Sequence, residues 1–401
     1  MYLTADVPGV EGRIRERIED FVVEELPLYE PAGVGEHCYL TVQKVGLSTH
    51  EAIRRLAREI HVRPEAIGYA GMKDAKAVAR QTFSIQGLDP HRVEGLAIPG
   101  LTVLAARLHR NKLRIGHLAG NRFLIRLRGT GPGAEERCRL VLDALSTKGL
   151  PNLFGRQRFG SKGDGHLAGR AVLRRDPEAL VDAILLDRDG RERDPRLREA
   201  RDRYASGDLE GAFRAFPHAY EAERRVLESL AKGRPPEQAI RRIPRATFRL
   251  YLSAYQSHLF NRLLLLRMPD LGRLEAGDLA YLHDRGAVFS VEDVAVEQPR
   301  ADRFEISPSG PLFGKKVLLA EGAPGERERE VLDEERLTIE EWKLPGLRLD
   351  GERRPFRVPL TGATVRAEGD DTVLLSFSLP KGSYATAALR EVMKSEDPDL
   401  D

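Results

Sequence analysis

Between Gly68 and Ala77 the chain reads Gly-Tyr-Ala-Gly-Met-Lys-Asp-Ala-Lys-Ala: a short apolar run ends in glycine, and one carboxylate follows between two lysines. Flanking cations favour an ionised carboxylate. An ionised aspartate presented on a loop at a strand end can act as a nucleophile or a base. Asp74 is therefore a candidate for catalysis, although on composition alone a surface aspartate in a turn is the better fit. A second segment, Gly120-Asn121-Arg122-Phe123, sets an amide and an aromatic ring at the start of a basic strand. Asparagine can read a base edge and an aromatic ring can stack on one; the plainer alternative is a turn asparagine and a core phenylalanine. Phe21, after Glu19-Asp20, and Tyr384, in Lys381-Gly382-Ser383-Tyr384-Ala385-Thr386, carry the same two readings.

The charge pattern adds a partner to this chemistry. Lys plus Arg is 64 and Asp plus Glu is 62, a net charge of +2. Yet no acid occurs from Gly95 to Ala134, where Arg107, Arg110, Lys112, Arg114, Arg122, Arg126 and Arg128 lie. A second acid-free stretch, Ala144 to Gly163, holds Lys148, Arg156, Arg158 and Lys162. Local single-sign runs are the footprint of a polyanion. Arg110, Lys112, Arg114 and Arg158 are the candidates for backbone phosphates, against the alternative of a solvated basic face.

Other chemistries are excluded or weakened. The segment Gly129-Thr130-Gly131-Pro132-Gly133-Ala134 matches a dinucleotide-binding loop, but no acid follows about 20 residues on and Pro132 removes an amide. A GxxxxGK[ST] loop and an HExxH motif are both missing, and the two cysteines, Cys38 and Cys138, form no metal framework. Leu250 to Met268 is interrupted by Gln256, Ser257, His258, Asn261 and Arg262, which predicts a buried core helix rather than a membrane span. The first residues show no secretory signal, so a cytoplasmic protein is expected.

The elements that must position these residues are legible in outline. Phe21–Val23, Tyr39–Val42, Thr82–Ile85 and Thr372–Leu379 predict strands, as does the alternation of Phe123, Ile125 and Leu127 with Leu124, Arg126 and Arg128. Ser48 and Glu51 predict a capping box that opens a helix burying Ile53, Leu56, Ala57 and Ile60. From Asp164 to about Arg245 the texture is helical, Glu326 to Trp342 predicts one charged helix, and Tyr384 to Met393 another. Similar ends around a different middle predict an inserted domain; 401 residues suffice for that.

Taken together, the segments resemble the TruD family of pseudouridine synthases. The matching pieces are Glu19–Glu24, Gly35-Glu36-His37, Gly68–Asp74 with Ala77-Val78, His117–Phe123, Gly149–Gly160, Ser253 with Ser257–Asn261, and Leu379–Thr386 with Leu389-Arg390-Glu391. They run in the family's order across nearly the whole chain. The resemblance implies an α+β fold: a catalytic domain with a mostly antiparallel sheet over residues 1–152 and 358–401, interrupted by an α/β insertion domain over residues 153–357. It implies isomerisation of uridine to pseudouridine in tRNA, at uridine 13, by a monomer that needs no cofactor, metal or protein partner. The catalytic aspartate maps onto Asp74, and substrate contacts onto Phe21, Asn121, Phe123 and Tyr384, with Arg15 and Lys73 beside them. The family's KxxPEDF pattern reads Arg15-Glu16-Arg17-Ile18-Glu19-Asp20-Phe21 here, so arginine replaces lysine and Ile18 replaces proline. Arg15, Lys73 and Arg390 are the cations that could pair with Asp74. A carboxylate could hold the sugar at C1′ or the base at C6, and the residues do not choose between them. Three rivals are a silent RNA-binding module, the same isomerisation at another RNA position, and a glycoside hydrolase; the last would need a second carboxylate across the sugar, and no matching motif supplies it.

Overall fold

In the computed structural model, which describes residues 1–395, the chain divides into two units: Met1–Pro151 together with the segment from Val358 onward, and Asn152–Arg357. The first unit contains the long strands β1 (Phe21–Pro27), β2 (His37–Val45), β3 (Val78–Gln86), β4 (Leu101–His109), β5 (Leu118–Arg128), β6 (Thr361–Ala367) and β7 (Thr372–Pro380). Their order is β6-β7-β5-β1-β3-β2-β4, and two-residue strands at Gly68–Tyr69 and Ala97–Ile98 complete nine. β1 and β3 run parallel; every other neighbouring pair of the seven is antiparallel.

Alternation decides what each face does. Phe123, Ile125 and Leu127 are buried, while Arg122 is exposed and Arg126 and Arg128 are half-buried. Helix α1 (Thr49–Glu59) lays Ala52, Ile53, Leu56 and Ala57 on Leu40, Val42 and Phe83. Helix α2 (Ala134–Lys148) packs on β6, β7 and α3 (Ala385–Met393), burying Cys138, Val141, Leu142 and Leu145. Ser48 caps α1 by accepting the Glu51 amide, but the expected reciprocal bond is replaced: the Glu51 carboxylate binds Arg54 and Arg55. The glycine-rich loop before α2 turns on Gly129 and Gly133 at φ 69° and 72°. Glu135 and Glu136 fill the first helical turn, and with Asp370 they line the adjoining cavity of about 350 Å³. Carboxylates at that helix end oppose a phosphate, in keeping with a strand-to-helix turn.

The second unit is helical through Gly165–Leu173, Pro177–Leu185, Pro195–Ala205, Leu209–Ala215 and Glu221–Ala231. The helix Arg245–Arg267 follows, with Leu252, Tyr255, Leu259, Phe260, Leu263 and Leu264 buried. Four antiparallel strands complete this unit: Val288–Ser290, Leu279–Leu282, Ile306–Leu312 and Glu352–Pro355. The single helix expected from Glu326 to Trp342 is two elements. One is Gly322–Glu334, whose first turn tolerates Pro324; the other is a short 3-10 turn, Ile339–Trp342, restarted by a Thr338–Glu341 capping box. Among the described residues no helix is long and apolar enough to cross a membrane.

Candidate active site

The register of the sheet defines three transverse rows on its buried face. Phe21 pairs with Ile125, which pairs with Leu375. Lys44, Ala79, Val23, Phe123 and Phe377 form the middle row, each the Cα partner of the next. Glu25 pairs with Asn121 and Asn121 with Leu379. Residues far apart in sequence thus meet because β1 and β5 are neighbours.

The loop from Ala70 to Ala77 is anchored from several elements. The Gly116 amide donates to the Ala70 carbonyl at 2.8 Å, and Gln81 Nε2 reaches the Gly71 carbonyl at 3.5 Å. The Lys73 amide donates to Thr49 Oγ1 at 2.9 Å. Lys44 Nζ donates to the Asp74 and Lys73 carbonyls at 2.7 and 3.3 Å. Gly68 permits the close approach at the loop's start: a Cβ there would sit 2.4 Å from the Leu113 carbonyl oxygen. With its backbone fixed, the loop presents Asp74, whose side chain is 50% exposed.

Arg15 is the cation that pairs with Asp74. Its Nη2 donates to Oδ2 at 2.9 Å, and Oδ1 has no protein partner among the described residues. Arg15 itself adopts a left-handed backbone at φ 58° and lies over the Phe21 ring, 4.1 Å from its centroid. The segment is secured by Asp20, which is 1% exposed and receives Arg128 Nε and Nη2 at 2.7 to 3.0 Å. Burial pushes the Asp20 carboxyl up, but the Arg128 hydrogen bond and the Arg17 amide more than offset this and leave it below the usual carboxylate range.

Lys73 does not reach Asp74. Its ammonium meets Glu25 at 2.9 Å, and both side chains are almost fully buried. Arg390 donates instead to the Met1 carbonyl and lies over Tyr2. Phe21 and Phe123 are also buried, packed edge to face at 6.2 Å between centroids, with Phe377 beyond at 5.7 Å. Asn121 is half-buried, and its Oδ1 finds no hydrogen-bond partner among the described residues, an orphan acceptor of the kind that calls for a donor. Gly120 before it allows β7 to approach, since a Cβ would lie 2.2 Å from the Leu379 carbonyl oxygen. Tyr384 is half-buried at the N-cap of α3, just after the turn that ties Lys381 to Ala119.

The basic stretches are partly neutralised by acids distant in sequence. Arg126 binds Glu368 and Arg128 binds Asp20. Lys112 donates to the Glu65 carbonyl. Arg110 and Arg114 remain exposed on the segment joining β4 to β5, and neither guanidinium has a hydrogen-bond or ion-pair partner among the described residues. Arg158 lies in the other unit, where the Ser253 and Ser257 hydroxyls hold its guanidinium. Lys162 is buried against the Ala183 and Leu186 carbonyls.

Sequence reasoning missed Lys44, Glu25 and Thr49. A signal existed for the first. Lys44 shares the inward parity of Cys38, Leu40 and Val42, where an ammonium requires partners.

Comparison with known proteins gives a consistent result. The family model described as tRNA pseudouridine synthase D (TruD) matches residues 1–392. A tRNA pseudouridine synthase D from Geobacter sulfurreducens is 50% identical over 396 residues, covering 98% of this chain and 96% of its own. A namesake from Geobacter sp. strain M21 is 47% identical over 399 residues, covering 99% and 100%. The crystal structure of a putative tRNA pseudouridine synthase D from Methanosarcina mazei is similar with a TM-score of 0.84 at 28% identity, covering 99% of this chain and 96% of that one.

Proposed function

Because the chain belongs to the tRNA pseudouridine synthase D family, we propose that it isomerises uridine 13 of tRNA with Asp74 as its nucleophile. The family is one of tRNA pseudouridine synthases, so the chain is an enzyme that isomerises uridine in tRNA. In this reading the unit of Met1–Pro151 and the segment from Val358 onward is the catalytic domain, and Asn152–Arg357 is the family's insertion. The enzyme works as a monomer in the cytoplasm, where its substrate is made and used.

The observation that carries the proposal is the Arg15–Asp74 pair on an anchored loop, with Oδ1 left open. The reaction breaks the N1–C1′ bond, turns the base, forms a C5–C1′ bond, and removes the C5 proton while N1 gains one, directly or by exchange through solvent. Asp74 Oδ1 can add to C1′ and hold the sugar, or to C6 and hold the base, while the other half turns in the closed site, and the bond to Asp74 breaks again when the product forms. Arg15 fixes Oδ2 and thereby aims Oδ1. The target base must leave its stack to reach this loop. The orphan Oδ1 of Asn121 can accept the uracil N3–H, and the half-buried Tyr384 ring can replace lost stacking, at roughly 1–3 kcal/mol per base, whereas Phe21 and Phe123 are buried and back the site from below.

The test is an unmodified tRNA transcript incubated with purified protein and mapped by carbodiimide labelling. One labelled site at position 13 is expected, and none in a transcript with cytidine there. Labelling only at another position would overturn the site assignment. Binding without any labelling would favour a silent RNA-binding module.

Backbone contacts fall to Arg110, Lys112, Arg114 and Arg158 in this proposal. Arg110 and Arg114 have the clearest expectation because no acid neutralises them. Arg110→Gln and Arg114→Gln should each make the log-affinity against log-salt slope shallower by about one while sparing the maximal rate. Wild-type slopes in both variants would mean that these arginines face solvent alone.

A further inference from the structure

We infer that Lys44 is a positioning residue for the reaction: its buried ammonium clamps the backbone of the Asp74 loop and so sets where the carboxylate points. This rests on the reading of Asp74 as nucleophile. Lys44 is 0% exposed although it is the penultimate residue of β2, one step before the turn. Its Nζ donates to three carbonyls, Leu47 at 2.5 Å, Asp74 at 2.7 Å and Lys73 at 3.3 Å. An ammonium has three protons, so the set is complete. Leu47 belongs to the turn entering α1, so one cation ties β2, the start of α1 and the catalytic loop together. Two of the three acceptors belong to consecutive residues of that loop, one of them Asp74 itself.

A structural role alone would not require a charge here. A buried ion is expensive unless something returns the cost. The acceptors are neutral carbonyls, and the charged groups facing Lys44 are Asp74, which favours the ammonium, and Lys73, which opposes it. Burial, partly countered by Asp74, brings the Lys44 pKa down to about 8. Below that pH all three donors are present and a positive charge lies under the nucleophile's loop. As pH rises through about 8 the amine loses a proton, so one carbonyl loses its donor and the loop its nearby charge. Single-turnover rate should therefore fall on the alkaline side because the loop loosens, with tRNA binding unaffected.

The experiment compares wild type, Lys44→Met, Lys44→Arg and Asp74→Asn on saturating tRNA. Single-turnover rates are read from pH 6.5 to 9.5, with tRNA affinity alongside. Lys44→Met should lose about 100-fold in rate, the scale of a misplacement near 1 Å, with affinity within about twofold. Its residual rate should lack the wild-type fall near pH 8. Lys44→Arg should recover part of the rate and push that fall out of range, because guanidinium stays protonated. A Lys44→Met rate within about threefold of wild type would overturn the inference. So would an unchanged alkaline fall in Lys44→Arg, which stands as the test if the methionine variant does not fold. An active Asp74→Asn enzyme would overturn the nucleophile assignment itself, a separate outcome.

Discussion

Protein carrying Asp74→Asn is expected to bind tRNA with a dissociation constant within about twofold of wild type and to form pseudouridine at least about 1,000-fold more slowly. The geometry explains why these two quantities separate. Of the two Asp74 oxygens, Oδ2 accepts from Arg15, and the carboxamide oxygen of asparagine can accept the same bond. The loop itself is held through backbone groups: the Lys73 amide and the Ala70, Gly71, Lys73 and Asp74 carbonyls. None of these changes with the side chain. The substituted group is half exposed, so folding stability should move by no more than about 0.5 kcal/mol. What disappears is the anionic oxygen opposite Oδ2, and an amide nitrogen there cannot add to C1′ or C6. Turnover near the wild-type rate would end the assignment. Binding lost in step with rate would make Asp74 a structural residue.

The separation also shows how far the residues alone could lead. The strands around Phe123 and Thr372 were legible because their side chains alternate, and the one at Phe21 because a short apolar run stands there; both are local properties. Asp74 was legible because the loop is short and its charges are adjacent in sequence. Its partner was not, since Arg15 reaches it only because β1 and β3 lie side by side and parallel, bringing the segments before them to one end of the sheet. Lys73 and Arg390 stood beside Arg15 as candidates in the sequence, yet the chain turns the Lys73 ammonium inward to Glu25 and the Arg390 guanidinium to the Met1 carbonyl. The acid-free basic run misled in the same way. Arg126 and Arg128 looked unopposed locally, and the fold supplies Glu368 and Asp20 from far along the chain. Charge runs report only near neighbours, whereas pairing across a sheet is non-local. The Glu326–Trp342 helix failed for a local reason: the capping pair Thr338 and Glu341 restarts the chain where composition reads as continuous.

The same inward turn of Lys73 gives the second large effect. Its ammonium and the Glu25 carboxylate meet at 2.9 Å with side-chain exposures of 4% and 3%. Glu25 Oε1 also accepts the Thr82 amide at 3.1 Å, so the carboxylate joins the loop, β1 and β3. Lys73→Met leaves that carboxylate buried without a cation. Removing one partner of such a pair costs about 3–5 kcal/mol, more than the hydrophobic gain of methionine returns. Urea unfolding of the variant should show a loss of that size. Adding Glu25→Gln should restore most of it, to within about 2 kcal/mol of wild type, because the amide oxygen still accepts from Thr82 while no charge remains. Two single changes that each destabilise, with a double variant more stable than either, would identify the cost as the stranded charge rather than lost packing. If Lys73→Met instead unfolds within about 1 kcal/mol of wild type, water reaches Glu25 and the pair is not sequestered. The rate then separates two roles for this lysine. In the stabilised double variant Asp74 keeps its own anchors at Lys44 and Arg15, so pseudouridine formation should recover together with stability. A stable but inactive double variant would show that the Lys73 ammonium acts on the substrate directly.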